Sequence, residues 1–413
     1  MPAFLTHWRI LIETAQRSQD AGNDLGSLII DTSALRRRAP GSTTPPESPP
    51  AGAVWHTGPL PQIDMRFPGS DISAMAYLGA VAPDMTSFQK GIFRQKTSGA
   101  KQQKVPSSQS ATGDEKRWAE LLHYNRSGDV LLAFLEHTAN IPSPALRSQG
   151  LAFAMGYLSH IATDIALNPY INALAGMYAD SDIPGIFAPL GMHFYIELCL
   201  DEYVATTFFN RPLYSWLRQP WREYIEPAAE SCITPHTLSA QVLNVLCDAL
   251  DFTYGLTEEQ CNGYKQDFQA GLRRLRSYLA GRGIFHLLTF KALTRKREND
   301  PIIASIAGTA HEPGAMNVEQ VIAYATRLSE HLCRRAIGYY SALRNTSATA
   351  NERNQRRTAL CEDLRNWNLA TGYTMEVAFD EEVTLRLLHN WIHFARLWEN
   401  ELSPMAQGQS LSR

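Results

Sequence analysis

Residues 150–170 read GLAFAMGYLSHIATDIALNPY. From Leu151 to Leu167 nearly every residue is apolar or small, yet His160 and Asp164 sit in the middle. Four residues apart, they stack on one face of a helix. A helix that is apolar on most sides is a buried helix, and two polar side chains inside it are costly unless something satisfies them. Two partners are chemically open. The pair can hydrogen-bond to each other in the core, or both can ligate a metal, since neutral imidazole and carboxylate are good zinc ligands. Asn168-Pro169 is expected to stop the helix, because proline donates no N–H and disfavours the α conformation of the residue before it.

The spacing is weak evidence by itself. With 41 acidic residues in 413, about one of the 12 histidines should have an acid four positions on by chance. Two do: His160/Asp164 and His193/Glu197. Their place in the chain, and what precedes them, carries more weight.

The chain is long enough for one large domain or two ordinary ones with a sizeable core. Hydrophobic residues make up 44% and charged residues 19%, an ordinary globular balance. A net charge of −3 gives no general pull on nucleic acid or anionic membranes, so no nucleic-acid partner is expected. The six cysteines all follow the second His pair and show no zinc-ribbon or redox spacing, so free thiols are expected. The N-terminus, MPAFLTHWRILIETAQ, lacks the basic and small-residue features of a secretory signal. The run at 151–167 is short for a membrane span and carries charge. The expectation is a cytoplasmic protein, or one exported by a non-classical route.

Outward from the central stretch the pattern is helical. Residues 7–17 have helical spacing with Thr6 as N-cap. Ser70 to Pro83 is a small-residue helix, ending at Pro83-Asp84. Trp118 to His137 is amphipathic, and Met192 to Phe209 carries His193, Glu197 and Asp201 on one stripe. Leu238–Phe252, Glu258–Ala280, Val318–Leu343 and Glu381–Leu402 are further predicted helices. Residues 36–52 and 97–116 are polar inserts without periodicity. Polar breaks are expected near Thr294–Pro301 and Arg344–Arg357, a loop at Asp180–Gly191, and one short strand within Gly372–Phe379. There is no βαβ pattern and no phosphate-binding glycine loop. The fold class is all-α.

Five segments in order carry candidate ligands: THW near the start, LGAVAPD, LHYNRSGDVLLAFL, GYLSHIATDIALNPY and HFYIE. Together they resemble the zinc-dependent phospholipase C family, over roughly residues 1–210. The resemblance implies an all-helical core shared with single-strand-specific nucleases. It does not reach residues 211–413, whose own helical patterns lead to the expectation of a helical C-terminal region packed on that core. It implies two or three zinc ions. One would take Asp84, His123, His160 and Asp164. A second would take His193 and Glu197, and a third His7 with Asp164 bridging. His137 is the rival of His123. Where the family has a further histidine after the helical aspartate, this chain has Asn168, a weaker ligand. Asp84 is the candidate catalytic proton acceptor. Asp201, one turn past Glu197, is either a partner orienting a ligand or a solvated helix charge.

The implied activity is hydrolysis of a glycerophospholipid such as phosphatidylcholine, to diacylglycerol and a phosphorylated head group. Peripheral membrane contact would accompany it. Phe67, Phe88, Tyr170, Tyr178 and Phe187 are candidates to seat acyl chains. The alternatives are a nuclease or nucleotidase on the same metals, or a non-catalytic helical protein with a degraded site. His389 and His393 are also four apart, but have no acid between them, and read as packing and surface.

Overall fold

The computed structural model describes residues 4–20, 71–88, 118–124, 126–177, 191–209, 238–279, 301–306, 318–369 and 373–374. Within these the chain is helical: α1 (Phe4–Asp20), α2 (Asp71–Gly79), a 3-10 helix (Ala82–Phe88), α3 (Trp118–Tyr124), α4 (Ser127–Asn140), α5 (Pro144–Met177) and α6 (Gly191–Thr207). Then come α7 (Leu238–Tyr254), α8 (Glu258–Leu279), α9 (Pro301–Ile306), α10 (Val318–Arg344) and α11 (Ala350–Leu364). Two two-residue strands, β1 (Trp367–Asn368) and β2 (Tyr373–Thr374), pair antiparallel, Trp367 opposite Thr374. The all-α expectation holds, and the expected strand reduces to β2. The inserts, the loop at 180–190 and the predicted helix at 381–402 lie outside the described residues.

Helix α5 is the axis. Its residues from Leu151 to Tyr170 are buried without exception, as an apolar helix with no polar face must be. It packs against α2, α10, α4, α7, α6 and α1. It is the one described helix long and apolar enough to cross a membrane, and that stretch is wholly buried inside the protein. Gly156 lets α2 come close: a Cβ there would lie 1.9 Å from the Ala76 carbonyl oxygen. The helix α10 lies along α5 and α1. Arg9 fastens α1 to it through Nη1 on Glu319 at 2.8 Å, while its Nε is held by Glu13 of α1 itself, also at 2.8 Å.

Three expectations are corrected. Helix α5 runs through Asn168-Pro169 to Met177. Interior proline costs about 3 kcal/mol. Beyond it Tyr170, Ile171 and Leu174 are buried, and each such side chain contributes roughly 1.5–3 kcal/mol. Burial therefore outweighs the lost hydrogen bond. The second correction is α11, which begins inside the expected polar break at 344–357. Thr349 is a true N-cap, its side chain accepting from the Glu352 N–H, and Leu360 and Leu364 anchor an otherwise polar helix. The third is Trp118 to His137, which forms two helices. Arg126 separates them in the left-handed conformation, with φ of 54°.

Candidate metal centre

The site is assembled from three helices and the 3-10 segment. His160 and Asp164 come from the middle of α5, His7 from α1, His123 from the last turn of α3, and Asp84 from the first turn of the 3-10 helix. Each is brought in by a local device. The Gly156 contact places the end of α2 against α5, so that the Ala80 carbonyl accepts from His160 Nδ1 at 3.0 Å. Helix α8 backs the Asp84 segment, where a Cβ on Gly271 would lie 1.9 Å from the Met85 carbonyl oxygen. Asp201 of α6 receives both the Thr6 N–H and its hydroxyl at 3.1 Å. Thr6 is thus inside the first turn of α1, and a side-chain oxygen from another helix caps that turn. Asp201 is buried rather than solvated, and it holds the turn that carries His7.

The Ala80 carbonyl can only accept, so His160 carries its proton on Nδ1 and turns Nε2 inward. That nitrogen lies 3.3 Å from Asp164 Oδ2 and 3.3 Å from His123 Nε2. His123 Nε2 is also 3.1 Å from Asp84 Oδ1 and 3.4 Å from Asp164 Oδ2. His7 stacks on His160, with ring centroids 4.4 Å apart and planes within 9°. Its Nε2 is 3.5 Å from Asp164 Oδ1, and its buried Nδ1 has no hydrogen-bond partner among the described residues. Asp164 therefore divides its oxygens, one toward His7 and one toward the His123–His160 pair. Two overlapping donor sets result: His7, His160 and Asp164, and Asp84, His123 and His160.

Electrostatics match a cation site. Burial, helped by the neighbouring His160, lowers the His7 pKa to about 4, so it is neutral at ordinary pH. Burial also opposes charge on His160 and His123, but Asp84 and Asp164 outweigh it and raise both. Burial would raise the two aspartates, and the histidines overcome it and hold both below the usual carboxylate range. Without a cation the cluster stores protons between its imidazoles and carboxylates.

His193 and Glu197 stand beside this cluster and outside both donor sets. His193 Nδ1 lies 2.8 Å from Asn172 Oδ1, and its Nε2 lies 3.3 Å from Glu197 Oε1. Glu197 is buried and close enough to His7 to raise its pKa. Asn168 is tied elsewhere: its Nδ2 donates to the Leu369 carbonyl at 2.7 Å. His137 lies against Phe252 and not in the cluster, which leaves His123 as the residue brought to it. Tyr170 is 1% exposed in the core and cannot line a mouth. Phe67, Tyr178, Phe187, His389 and His393 lie outside the described residues, as does the Phe88 side chain.

The sequence reading missed Ala80, Asn172 and Leu369. A carbonyl leaves no trace in a residue type, so nothing flagged Ala80 or Leu369. Asn172 did leave a signal, since His160, Asp164, Asn168 and Asn172 form one run of four-residue steps. The reading stopped at Pro169 and cut that run short.

Comparison with known proteins agrees with the resemblance. Residues 59–167 match the family model for zinc dependent phospholipase C. The chain carries a region of that type, spanning Asp84, His123, His160 and Asp164. His7, Asn168, His193 and Glu197 fall outside the matched residues. No curated protein and no solved structure matches the chain.

Proposed function

We propose that the chain is a zinc-dependent hydrolase of phospholipase C type that cleaves a glycerophospholipid such as phosphatidylcholine to diacylglycerol and a phosphorylated head group. The observation that carries this is the division of the Asp164 oxygens inside a buried cluster of three imidazoles and two carboxylates. Imidazole and carboxylate in this proportion suit zinc. The inward lone pair of His160, and the His7 Nε2 that faces Asp164, are what such a donor set requires. His7, Asp84, His123, His160 and Asp164 would hold the zinc. Bound there, it would supply Lewis-acid charge to a phosphoryl group. His193 and Glu197 extend the donor set for a further ion.

The chain's own groups divide the remaining work. Asp84 and His123 side chains are each 13% exposed, against 0% for His160, so the substrate phosphate approaches over Asp84 and His123. Asp84 is held ionised beside His123 and is the group to accept a proton from the attacking water. His160 stays fixed through Ala80, and Asp201 keeps His7 in place through Thr6. We read residues 1–210 as the catalytic core and 211–413 as its support. All five cluster residues come before residue 201, and this and the packing of α10 on α5 and α1 favour that division.

The test is direct. Purified protein with zinc should release phosphocholine from phosphatidylcholine vesicles, and a chelator should stop it. Cleavage of single-stranded nucleic acid with no lipid hydrolysis would replace this reading with the nuclease one. Normal folding without bound metal would replace it with the non-catalytic one.

A further inference from the structure

Leu369 lies directly after β1 and joins two site helices that are far from it in sequence. Its N–H donates to the His123 carbonyl at 2.7 Å, and its own carbonyl accepts from Asn168 Nδ2 at 2.7 Å. A carbonyl cannot donate, so the assignment of the Asn168 amide is fixed by chemistry: the NH2 faces Leu369. Neighbouring contacts hold the same segment. Ser127 Oγ donates to the Trp367 carbonyl at 3.0 Å, and the Asp129 N–H donates to Asn366 Oδ1 at 3.1 Å. Trp367 and Leu369 are fully buried. The segment 366–369 is therefore sewn to the α3–α4 corner on one side and to α5 on the other.

We infer that Asn168 is a positioning residue: through Leu369 it fixes the backbone of His123 and so the aim of that imidazole into the metal cluster. The position after the helical aspartate then serves as a strut between α5 and α3 rather than as a ligand. His123 needs such a strut. It sits at the end of a seven-residue helix that is too short to be stable alone. Two hydrogen bonds in series, both buried, give that helix end a fixed distance from α5, where His160 and Asp164 reside. Among the described residues, the C-terminal region thereby completes the site without contributing a ligand.

The proposal rests on the reading of His123 as a metal ligand, and the experiment separates the two. In the full chain, Asn168→Asp keeps the shape but replaces the donor with an acceptor facing the Leu369 carbonyl. A ligand at 168 would be improved by the carboxylate, so zinc affinity would hold or rise. A strut would be broken, so zinc affinity, measured by chelator competition, should fall about 10–100-fold, the range for losing a partner that orients a ligand. The visible spectrum of the cobalt-substituted protein should change with it, as His123 shifts. Unchanged or tighter zinc binding in Asn168→Asp, alongside weakened binding in His123→Ala, overturns the strut and leaves the metal reading standing. Unchanged binding in His123→Ala overturns both. If Asn168→Asp fails to fold, amide exchange in the wild-type protein decides. Leu369 should exchange as slowly as the α5 amides, and rapid exchange there overturns the proposal.

Discussion

The His160–Asp164 and His193–Glu197 pairs have the same spacing and the same order of residue types, but only the first gathers a full donor set among the described residues. The difference lies in what surrounds them. His160 is wholly buried on a helix packed on all sides, so α1, α2, α3 and the 3-10 segment can each deliver a group to it. The His193 side chain is 39% exposed at the start of α6, and the group that reaches it from another described helix is Asn172 of α5. The lesson extends along α5. Steps of four residues drift by about 40° each, since each residue turns about 100°. From His160 to Asn172 the run therefore rotates by about 120°. It faces the metal cluster first, then Leu369, then α6, so one stripe serves three partners.

The largest effect should come from the residue that joins the two donor sets. Asp164→Asn should remove bound zinc and lower lipid hydrolysis more than about a hundredfold, beyond the cost of losing an outer partner of a ligand. Elemental analysis and phosphocholine release measure it. Glu197→Gln should stay within about 10–100-fold and cost at most part of the bound zinc. Equal losses from the two substitutions would erase the asymmetry drawn here.

Proton competition should sharpen the contrast further. His123 and His160 are raised, so zinc must displace protons from them, and affinity should climb as pH rises from about 6.5 toward their folded values. Calorimetry in buffers of different ionisation enthalpy should show proton release. The metal-free protein has the opposite slope. A raised histidine contributes stability below its unfolded value and loses it as pH rises through the folded one. His7, near 4 when folded, is already deprotonated above pH 6 and adds nothing to proton release on zinc binding. In the metal-free protein it costs stability that is regained as pH rises through its unfolded value of 6.5.

Two smaller effects test the scaffold. Gly271→Ala drives a methyl group into the Met85 carbonyl and should cost about 1–3 kcal/mol in chemical denaturation, with weaker zinc binding through Asp84. Asp201 is pushed up to about 8, chiefly by burial and against its hydrogen bonds from Thr6 and Leu5. Its contribution is present below the ordinary carboxylate value and lost as pH rises toward 8. Asp201→Asn keeps an acceptor for the Thr6 N–H and should flatten that part of the thermal stability profile, leaving α1 in place.

Much of this was legible beforehand because it is local. Helical periodicity located α1, α2, α6, α7, α8 and α10 to within a few residues, and the middle of α5. Residue type and order marked His7, Asp84, His123, His160 and Asp164. The misses were of another kind. Pro169 was read as a stop because proline's cost is local, whereas the burial that outweighs it comes from other helices. Residues 350–357 looked like part of a break because the polar start of α11 hides the two leucines that anchor it further on.

The sequence by itself determined a helical protein with a buried His–Asp pair at its centre and a set of ligand-type residues ahead of and behind it. That follows from side-chain chemistry and a repeat of 3.6 residues, both written in neighbouring positions. Only the tertiary structure decided that His123 rather than His137 enters the cluster, that Asp164 faces two ways, and that Asn168 turns to a C-terminal carbonyl. Those outcomes depend on backbone atoms and helix approach distances, such as the Ala80 and Leu369 carbonyls, which have no counterpart in the identity of a residue.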